Sequence, residues 1–292
     1  SGLPAVIHDL RETALRSPHG RFVFPRYEGF SFANIPSTIL ALFGVEGVVG
    51  DTARPLLDES VLEAMKPRRF EHVLLVLVDG LGFDNWAARA ASQPFFKRIA
   101  ERGSVTSLTA VFPSTTSASL TTLATGRTPQ EHGLPEWMVY LEEIDETITS
   151  LPFKRWNSKQ RDELLQLGLD ASILFEGGTI FEALAARGVD PVSICHAAYA
   201  QSAYSRLSKR GSRTVSFLGA SDLAVRLSDE LEAARKSTFF YLYWDGLDTL
   251  GHTYSPHSRE IGVELDSLSR LLTEQLRGLL GPNGRRAAGR TL

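Results

Sequence analysis

The chain has 292 residues, a formal net charge of −3 and a single cysteine. The slightly negative charge gives no footprint of nucleic-acid backbone binding, and one cysteine excludes a disulfide scaffold. No apolar stretch reaches the length that a membrane span requires, so we expect a soluble protein built on one large α/β domain, with or without a small lid.

The first part of the chain predicts two helices and a buried strand. We interpret residues 1–70 as a segment that packs on a sheet, with an apolar helix from Thr38 to Phe43 that stops at Gly44. The β-branched and leucine-rich run from Val73 to Val78 predicts a strand covered on both faces, which is typical of parallel sheets. A second helix is expected to begin near Ser114–Thr116, where a Ser/Thr-rich stretch turns apolar.

From residue 134 onward the pattern continues as alternating strands and helices. We interpret residues 134–175, with a strand at Trp137–Tyr140, as an insertion that either covers a pocket or is a solvated excursion. The later predicted elements are helix Ile180–Arg187, strands Pro191–Cys195 and Thr214–Phe217, helix Asp222–Arg235, strand Phe239–Tyr243 and helix Glu260–Leu280. This alternation indicates a mainly parallel central sheet with helices on both faces, so residues 71–292 are expected to form an α/β core.

Two aspartates follow the two most apolar strands. Asp79 comes directly after the first run, and Asp248 comes shortly after the run that ends at Tyr243. Because ligands of open α/β sheets bind outside the carboxyl ends of the strands, we expect both carboxylates in one crevice. The alternative for Asp79 is a simple Asp-Gly turn; near Asp248, the Asp245-Gly246 pair is the better turn candidate.

Asp248 and His252 are four residues apart, which places them on one side of a helical turn. A carboxylate and an imidazole are suited to zinc, with manganese or iron as alternatives. The competing interpretation is a surface pair without a ligand. His257, five residues further on, is expected to be a solvated loop histidine.

Thr116 is the candidate nucleophile. It lies at the predicted helix start, where free N–H groups and the helix dipole favour an anion. A free hydroxyl is almost fully protonated at neutral pH, so it needs a base or a metal ion to react. Ser114 or Thr115 could instead serve only as a helix cap, and Thr115 is the competing nucleophile.

These pieces in this order resemble the nucleotide pyrophosphatase/phosphodiesterase branch of the alkaline phosphatase superfamily. The resemblance runs from His72 to His252. It is most specific where Thr116 is followed, ten residues later, by the Gly126 that ends a Thr-Leu-x-Thr-Gly stretch, and then by Pro129 and His132-Gly133. The resemblance implies an alkaline-phosphatase-like fold.

The resemblance also implies a two-metal site and a threonine nucleophile. Asp79 and Thr116 would bind one divalent ion, and Asp248 and His252 the other, with zinc expected and manganese or iron possible. Members of the family often carry an asparagine three residues after the nucleophile, where its amide contacts a phosphate oxygen. This chain has Ser119 there, a shorter donor, so we expect a different substrate contact.

The carboxyl end departs from the family pattern. The family completes its metal site with an Asp-His pair after a further strand and with another histidine, whereas no histidine follows His257 here. The chain stops at Gly289–Leu292, about where that strand would begin. We expect a fragment of a longer enzyme, which the absence of an initial methionine also favours; the alternative is a homologue that cannot hold both metals.

The expected function is therefore metal-dependent hydrolysis of a small-molecule phosphate ester, through phosphodiester or nucleotide pyrophosphate chemistry. The alternatives are a phosphomonoesterase or phosphonate hydrolase of the same superfamily, or a non-catalytic homologue that lacks half of the metal site. No arginine adjoins Thr116 in the sequence, which favours diesters. A P-loop, a dinucleotide fingerprint and a Gly-x-Ser-x-Gly elbow are all missing from the sequence. The compartment is left open, with the cytoplasm favoured, and the oligomeric state is undetermined.

Overall fold

The computed structural model describes residues 6–8, 16, 18, 20, 23–45, 55–62, 70–89 and 92–276. The strands are β1 (Val6–His8), β2 (His72–Val78), β3 (Ser104–Thr106), β4 (Met138–Leu141), β5 (Glu146–Thr149), β6 (Lys154–Arg155), β7 (Asp190–His196), β8 (Arg213–Phe217) and β9 (Thr238–Trp244). The helices are α1 (Ile35–Leu42), α2 (Glu59–Leu62), α3 (Gly82–Ala88), α4 (Pro94–Arg102), α5 (Thr116–Thr125), α6 (Pro129–His132), α7 (Glu163–Gln166), α8 (Ile180–Ala185), α9 (Ala197–Ala200), α10 (Ala203–Ser208), α11 (Ala220–Ala233), α12 (Gly246–Tyr254) and α13 (Arg259–Gln275).

The central sheet is parallel, with strand order β2-β9-β7-β8. Strand β9 is buried at every position, because it lies between two neighbours and has helices on both faces. Its pairing with β2 runs in register over the whole strand and ends at Val78 opposite Trp244. The predicted mainly parallel α/β fold is therefore confirmed, and the two strands deliver the segments that follow them to the same edge.

Side chains of β9 alternate between two hydrophobic cores, as the period of two in a strand requires. Phe239, Tyr241 and Tyr243 pack on one face with residues of α1, α5 and α8. Phe240, Leu242 and Trp244 pack on the other face with residues of α4, α11 and α13. An unbroken apolar strand thus joins the helical layers on both sides of the sheet.

The strand after α4 does not extend the central sheet in the described part of the chain. Instead, β3 pairs in parallel with β1 from the amino-terminal segment. The predicted helix near Thr38–Phe43 is present as α1, which begins three residues earlier and ends before Gly44. The helix predicted at Glu260–Leu280 is present as α13; residues 277–280 lie outside the described residues.

Residues 134–175 form an antiparallel sheet of order β4-β5-β6 with a hydrophobic core of its own. Ile148, Phe153 and Leu164 are fully buried in that core, which also includes Tyr204 and Leu207 from α10. The segment is therefore packed against the α/β layers rather than being a solvated excursion. None of the helices in the described ranges is long and apolar enough to span a lipid bilayer.

Gly80 brings the segment after β2 against the start of α12. Its φ is +75°, and a Cβ added there would lie 2.8 Å from both Cα and N of Asp248. Only glycine fits such a close backbone approach in a left-handed conformation. Gly188 has a similar φ of +80° but open space around it, so the two positions differ chiefly in crowding.

We predict that Gly80→Ala destabilises the fold by about 3 kcal/mol, since it combines left-handed strain with a backbone clash. Gly188→Ala should cost about 1 kcal/mol, because only the strain remains. Urea unfolding of both variants measures the difference. Equal losses would show that the segment after β2 can move away from α12 without cost.

Candidate active site

A cavity of about 710 Å³ lies at the carboxyl edge of the central sheet. Its walls are formed by the segment after β9, the start of α5, helix α10 and residues 134–175. Among the residues lining it are Thr115, Thr116, Glu136, Trp137, Arg161, Tyr199, Lys209, Tyr243, Asp245, Asp248 and His252. This position agrees with the expectation that the site lies outside the carboxyl ends of the strands.

Thr116 lies beside Asp79. As the first residue of α5, it donates a hydrogen bond from Oγ1 to Oδ2 of Asp79 over 3.3 Å. The neighbouring Thr115 is the helix cap: its Oγ1 accepts from the N–H of Ala118 and donates to the carbonyl of Pro135. Of the two threonines, Thr116 is therefore the one whose hydroxyl meets a carboxylate, which favours it over Thr115 as nucleophile.

A tyrosine that the sequence did not single out holds Asp79 in place. Tyr243 donates its hydroxyl to Oδ2 of Asp79 at 2.7 Å, and the Asp79 N–H donates to the carbonyl of Trp244. Burial and the negative charge of Asp79 raise the pKa of Tyr243 far above its usual range, so the phenol stays a donor. Because Tyr243 lies among aromatic residues of a buried strand, the sequence alone predicts a residue of the hydrophobic core.

Asp248 and His252 lie on one side of α12, as their spacing predicts. The distance from His252 Nε2 to Asp248 Oδ1 is 3.6 Å, and the imidazole is 82% exposed. Burial raises the pKa of Asp248, the charge of Asp79 adds to this effect, and His252 partly offsets it. The two carboxylates that follow β2 and β9 are thus close enough to repel one another.

Asp245 is a third carboxylate at this edge. Sequence reasoning assigned Asp245-Gly246 to a turn, whereas Asp245 precedes α12 without capping it and lines the cavity. Its negative charge acts with burial to raise the pKa of Tyr199. Asp245 was missed because an Asp-Gly pair is typical of a turn. Like Asp79, however, it comes directly after a buried strand, and that position was the signal that identified Asp79.

The side chains that could bind a divalent ion here are of a suitable chemical type, but there are few of them. Asp79, Asp248 and Asp245 concentrate negative charge that a cation would offset, and His252 adds a nitrogen donor. Within the described ranges, however, no group of three or more histidine, cysteine, aspartate or glutamate residues is arranged to hold a metal ion. Since a closed zinc site takes four ligands, further donors would be needed.

Three residues from the sequence analysis, Asp79, Ser119 and His257, are not among those that line the cavity, although Asp79 contacts the lining residues Thr116 and Tyr243. Ser119 is partly buried one turn into α5 and does not line the cavity, so its substrate contact stays a prediction. His257 is exposed on the loop before α13, where its carbonyl accepts from Arg89, consistent with a solvated loop residue.

His132 is a structural residue rather than a ligand in this arrangement. It is only 4% exposed, accepts at Nδ1 from the N–H of Leu134 and contacts Thr122 Oγ1 through Nε2. The neutral ring therefore carries its proton on Nε2. Burial is the main cause that lowers the pKa of His132 to about 4.

This burial predicts a loss of stability in mild acid. Because the folded-state pKa of His132 lies below the unfolded value of about 6.5, the unfolded chain binds the proton first. The contribution is complete above pH 6.5 and falls as the pH drops to about 4, by about 3 kcal/mol in total. In His132→Gln, the free energy of unfolding should depend less on pH across this window; an unchanged dependence would contradict the assignment.

Tyr243→Phe tests how much the Asp79 contact matters. Removing a buried donor to a carboxylate should lower the free energy of unfolding by about 2 kcal/mol. Tyr140→Phe is the matched control, since Tyr140 makes a similar bond to Asp145 on the surface and is 59% exposed. We expect a clearly smaller loss for Tyr140→Phe in urea unfolding, and equal losses would refute a special role for the buried bond.

Comparison with known proteins gives a family match and several structural likenesses. The family model for type I phosphodiesterase / nucleotide pyrophosphatase matches residues 73–285. An inactive variant of murine ectonucleotide pyrophosphatase / phosphodiesterase 5 in complex with AMP superposes with a TM-score of 0.53 at 14% identity, over 77% of this chain and 55% of that chain. A second structure of that murine protein gives 0.51 at 16% identity, over 75% and 53%.

Phosphonoacetate hydrolase from Sinorhizobium meliloti 1021, in complex with phosphonoacetate, gives a TM-score of 0.48 at 18% identity, over 74% of this chain and 56% of that chain. No curated protein sequence is significantly similar to the chain. At these identities, the likeness to the murine structures confirms the fold. The chain spans about half the length of the solved structures that it matches.

Proposed function

Since the chain belongs to the type I phosphodiesterase / nucleotide pyrophosphatase family, we propose that it hydrolyses phosphate esters, with Thr116 as nucleophile. The family agrees with the resemblance seen in the order of the sequence motifs. The substrates we propose are small molecules with phosphodiester or nucleotide pyrophosphate bonds. The single observation that carries the proposal is the hydrogen bond to Asp79 from Oγ1 of Thr116, a cavity-lining residue at the start of α5.

The chain's own residues account for three parts of the reaction. Asp79 accepts the hydrogen bond of the Thr116 hydroxyl and orients its oxygen for attack. The free N–H groups in the first turn of α5 would favour the negative charge that the phosphoryl oxygens gain during attack by Thr116. Tyr243 fixes Asp79 from behind, so the carboxylate keeps its position while the hydroxyl reacts.

The reaction would proceed in two displacements. The Thr116 hydroxyl loses its proton as its oxygen attacks phosphorus, the bond to the leaving oxygen breaks, and the departing alcohol or phosphate takes up a proton. Water then attacks the phosphorylated or nucleotidylated threonine, which releases the second product and restores the hydroxyl. Thr116 is thus the nucleophile of the first step and the leaving group of the second.

The family uses divalent metal ions. We propose that Asp79 and Thr116 contribute to one metal position, and Asp248 and His252 to the other, with zinc the expected metal and manganese or iron the alternatives. When bound, such an ion lowers the pKa of a coordinated hydroxyl and stabilises charge on the phosphoryl group. The raised pKa of Asp248, caused by burial and by Asp79, supports a cation at this edge.

A monoesterase or phosphonate hydrolase of the same superfamily is the second candidate. A doubly charged phosphomonoester requires extra cations. The lack of an arginine next to Thr116 in the sequence therefore argued against monoester hydrolysis. The fold brings Arg161 and Lys209 to the cavity from remote segments, so that argument no longer favours diesters. Rates on matched aryl mono- and diesters would separate the two candidates.

Thr116→Ala is the test of the proposal. We predict loss of turnover on an aryl phosphodiester in the presence of zinc, because the nucleophilic hydroxyl is removed. Divalent metal binding should be largely retained, because Asp79, Asp248 and His252 remain. Thr115→Ala is the matched control: it removes the helix cap, costs about 1 kcal/mol of stability and should keep turnover within about tenfold of the starting protein.

The measurements are initial rates of ester hydrolysis and the binding of divalent metal ions followed by calorimetry. Full activity in Thr116→Ala would overturn the assignment and make Thr115 the next candidate. A protein that binds no divalent metal and turns over no ester would support the non-catalytic homologue instead.

A further inference from the structure

The cavity has a second wall whose chemistry the proposed reaction does not use. Arg161 and Lys209 line it together with the hydroxyl residues Ser202, Ser205 and Ser208. Residues 202, 205 and 209 follow a spacing of three and four, so they share one face of α10 and its flanking residues. We call this set, Arg161, Ser202, Ser205, Ser208 and Lys209, the cationic wall.

A hydrogen bond from a backbone N–H to a side chain ties the residue next to Arg161 to α10. The neighbouring residue Asp162 accepts a hydrogen bond from the N–H of Ala203 at 3.0 Å, the first residue of that helix. The Asp162 N–H donates to the carbonyl of Pro152 at 2.8 Å. Arg161 is therefore attached to the start of α10, and Lys209 follows directly after its end.

Lys209 is separated from the reaction centre by two aromatic rings. Its Nζ lies 6.0 Å from the ring of Tyr199, and that ring lies 6.1 Å from the ring of Tyr243, which binds Asp79. Lys209 Nζ also contacts Cys195 Sγ at 3.0 Å, which restrains the side chain. Lys209 thus contacts Tyr199 and Cys195, and in the described ranges it forms no hydrogen bond or ion pair with Thr116 or Asp79.

The charges of the cationic wall have no carboxylate partner among the described residues. In the ranges that the structure describes, neither Arg161 nor Lys209 forms an ion pair. Of the cavity's carboxylates, Glu136 accepts from the N–H of its neighbour Trp137, and Asp245 and Asp248 lie at the reaction centre. Two unpaired cations beside buried serine residues suit an oxyanion of a bound molecule.

We propose that the cationic wall binds a second anionic group of the substrate, a phosphate or a carboxylate, carried at a distance from the phosphoryl group that reacts at Thr116. This inference rests on the proposed hydrolase function for its catalytic consequence. It narrows the substrates to phosphate esters with at least two separated negative centres. Guanidinium and ammonium groups bind either oxyanion, so the test must distinguish phosphate from carboxylate.

The test uses three 4-nitrophenyl phosphodiesters that share one leaving group. Their second ester is phenyl, 4-carboxyphenyl or 4-phosphonophenyl, so the substrates differ only in remote charge. We expect a preference in kcat/KM of about tenfold or more for at least one charged ester, as a charge-assisted hydrogen bond supplies. The preferred ester identifies carboxylate or phosphate as the group recognised.

Variants assign the preference to particular side chains. Arg161→Gln and Lys209→Met should each reduce it severalfold while leaving the rate on the phenyl ester within about twofold. Lys209→Arg, which keeps the charge, should restore it. Lys159→Met and Arg206→Gln are controls with the same charge changes: both residues are exposed and neither lines the cavity.

Binding separates this inference from the catalytic one. Calorimetry with the Thr116→Ala variant measures affinity for the three esters without turnover, so a charge preference in binding would support the cationic wall even if no ester is hydrolysed. Equal affinity for all three esters in Thr116→Ala, or an equal loss of preference in the control variants, would overturn it.

Discussion

The in-register pairing of β2 with β9 is the constraint on which the site depends. It ends both strands at the same level, so that Asp79 and Asp245 follow adjacent strand ends. Parallel strands reach this arrangement only through crossover segments, and here those segments include the helices of both faces and the residues that line the cavity. A slip by one residue would turn Tyr243 to the other face and leave Asp79 without its buried donor.

The same pairing explains why the site concentrates negative charge. Three carboxylates come from two strand ends and the first turn of one helix. Burial raises the pKa of Asp248, and the negative charges of Asp79 and Asp245 raise it further. Such an arrangement is unfavourable for folding alone, since like charges repel and partial burial removes water. A cluster of carboxylates favours a bound cation, and the neighbouring helix start favours an anion. The proposed site, which would bind both a cation and a phosphoryl group, requires the two features together.

Sequence patterns predicted those parts of the molecule that depend on neighbouring residues. Apolar runs located β2 and β9, and the four-residue spacing placed Asp248 and His252 on one side of α12, because both signals are local. Tyr243 was missed because a tyrosine in an aromatic strand looks like core, and Asp245 because it is followed by glycine. Arg161 and Lys209 could not be predicted, since they meet at the cavity only through the packing of the 134–175 segment on α10.

Because of that packing, two different parts of the molecule form the walls of the cavity. The proposed nucleophile Thr116 contacts Asp79 at the edge of the central sheet, whereas the opposite wall packs on a smaller core around Ile148, Phe153 and Leu164. A substitution inside the smaller core would shift Arg161 and α10 without disturbing the pairing of β2 with β9. For the proposed hydrolase, this means that substitutions beneath one wall could change which substrates bind, while the residues at the strand ends stay the same.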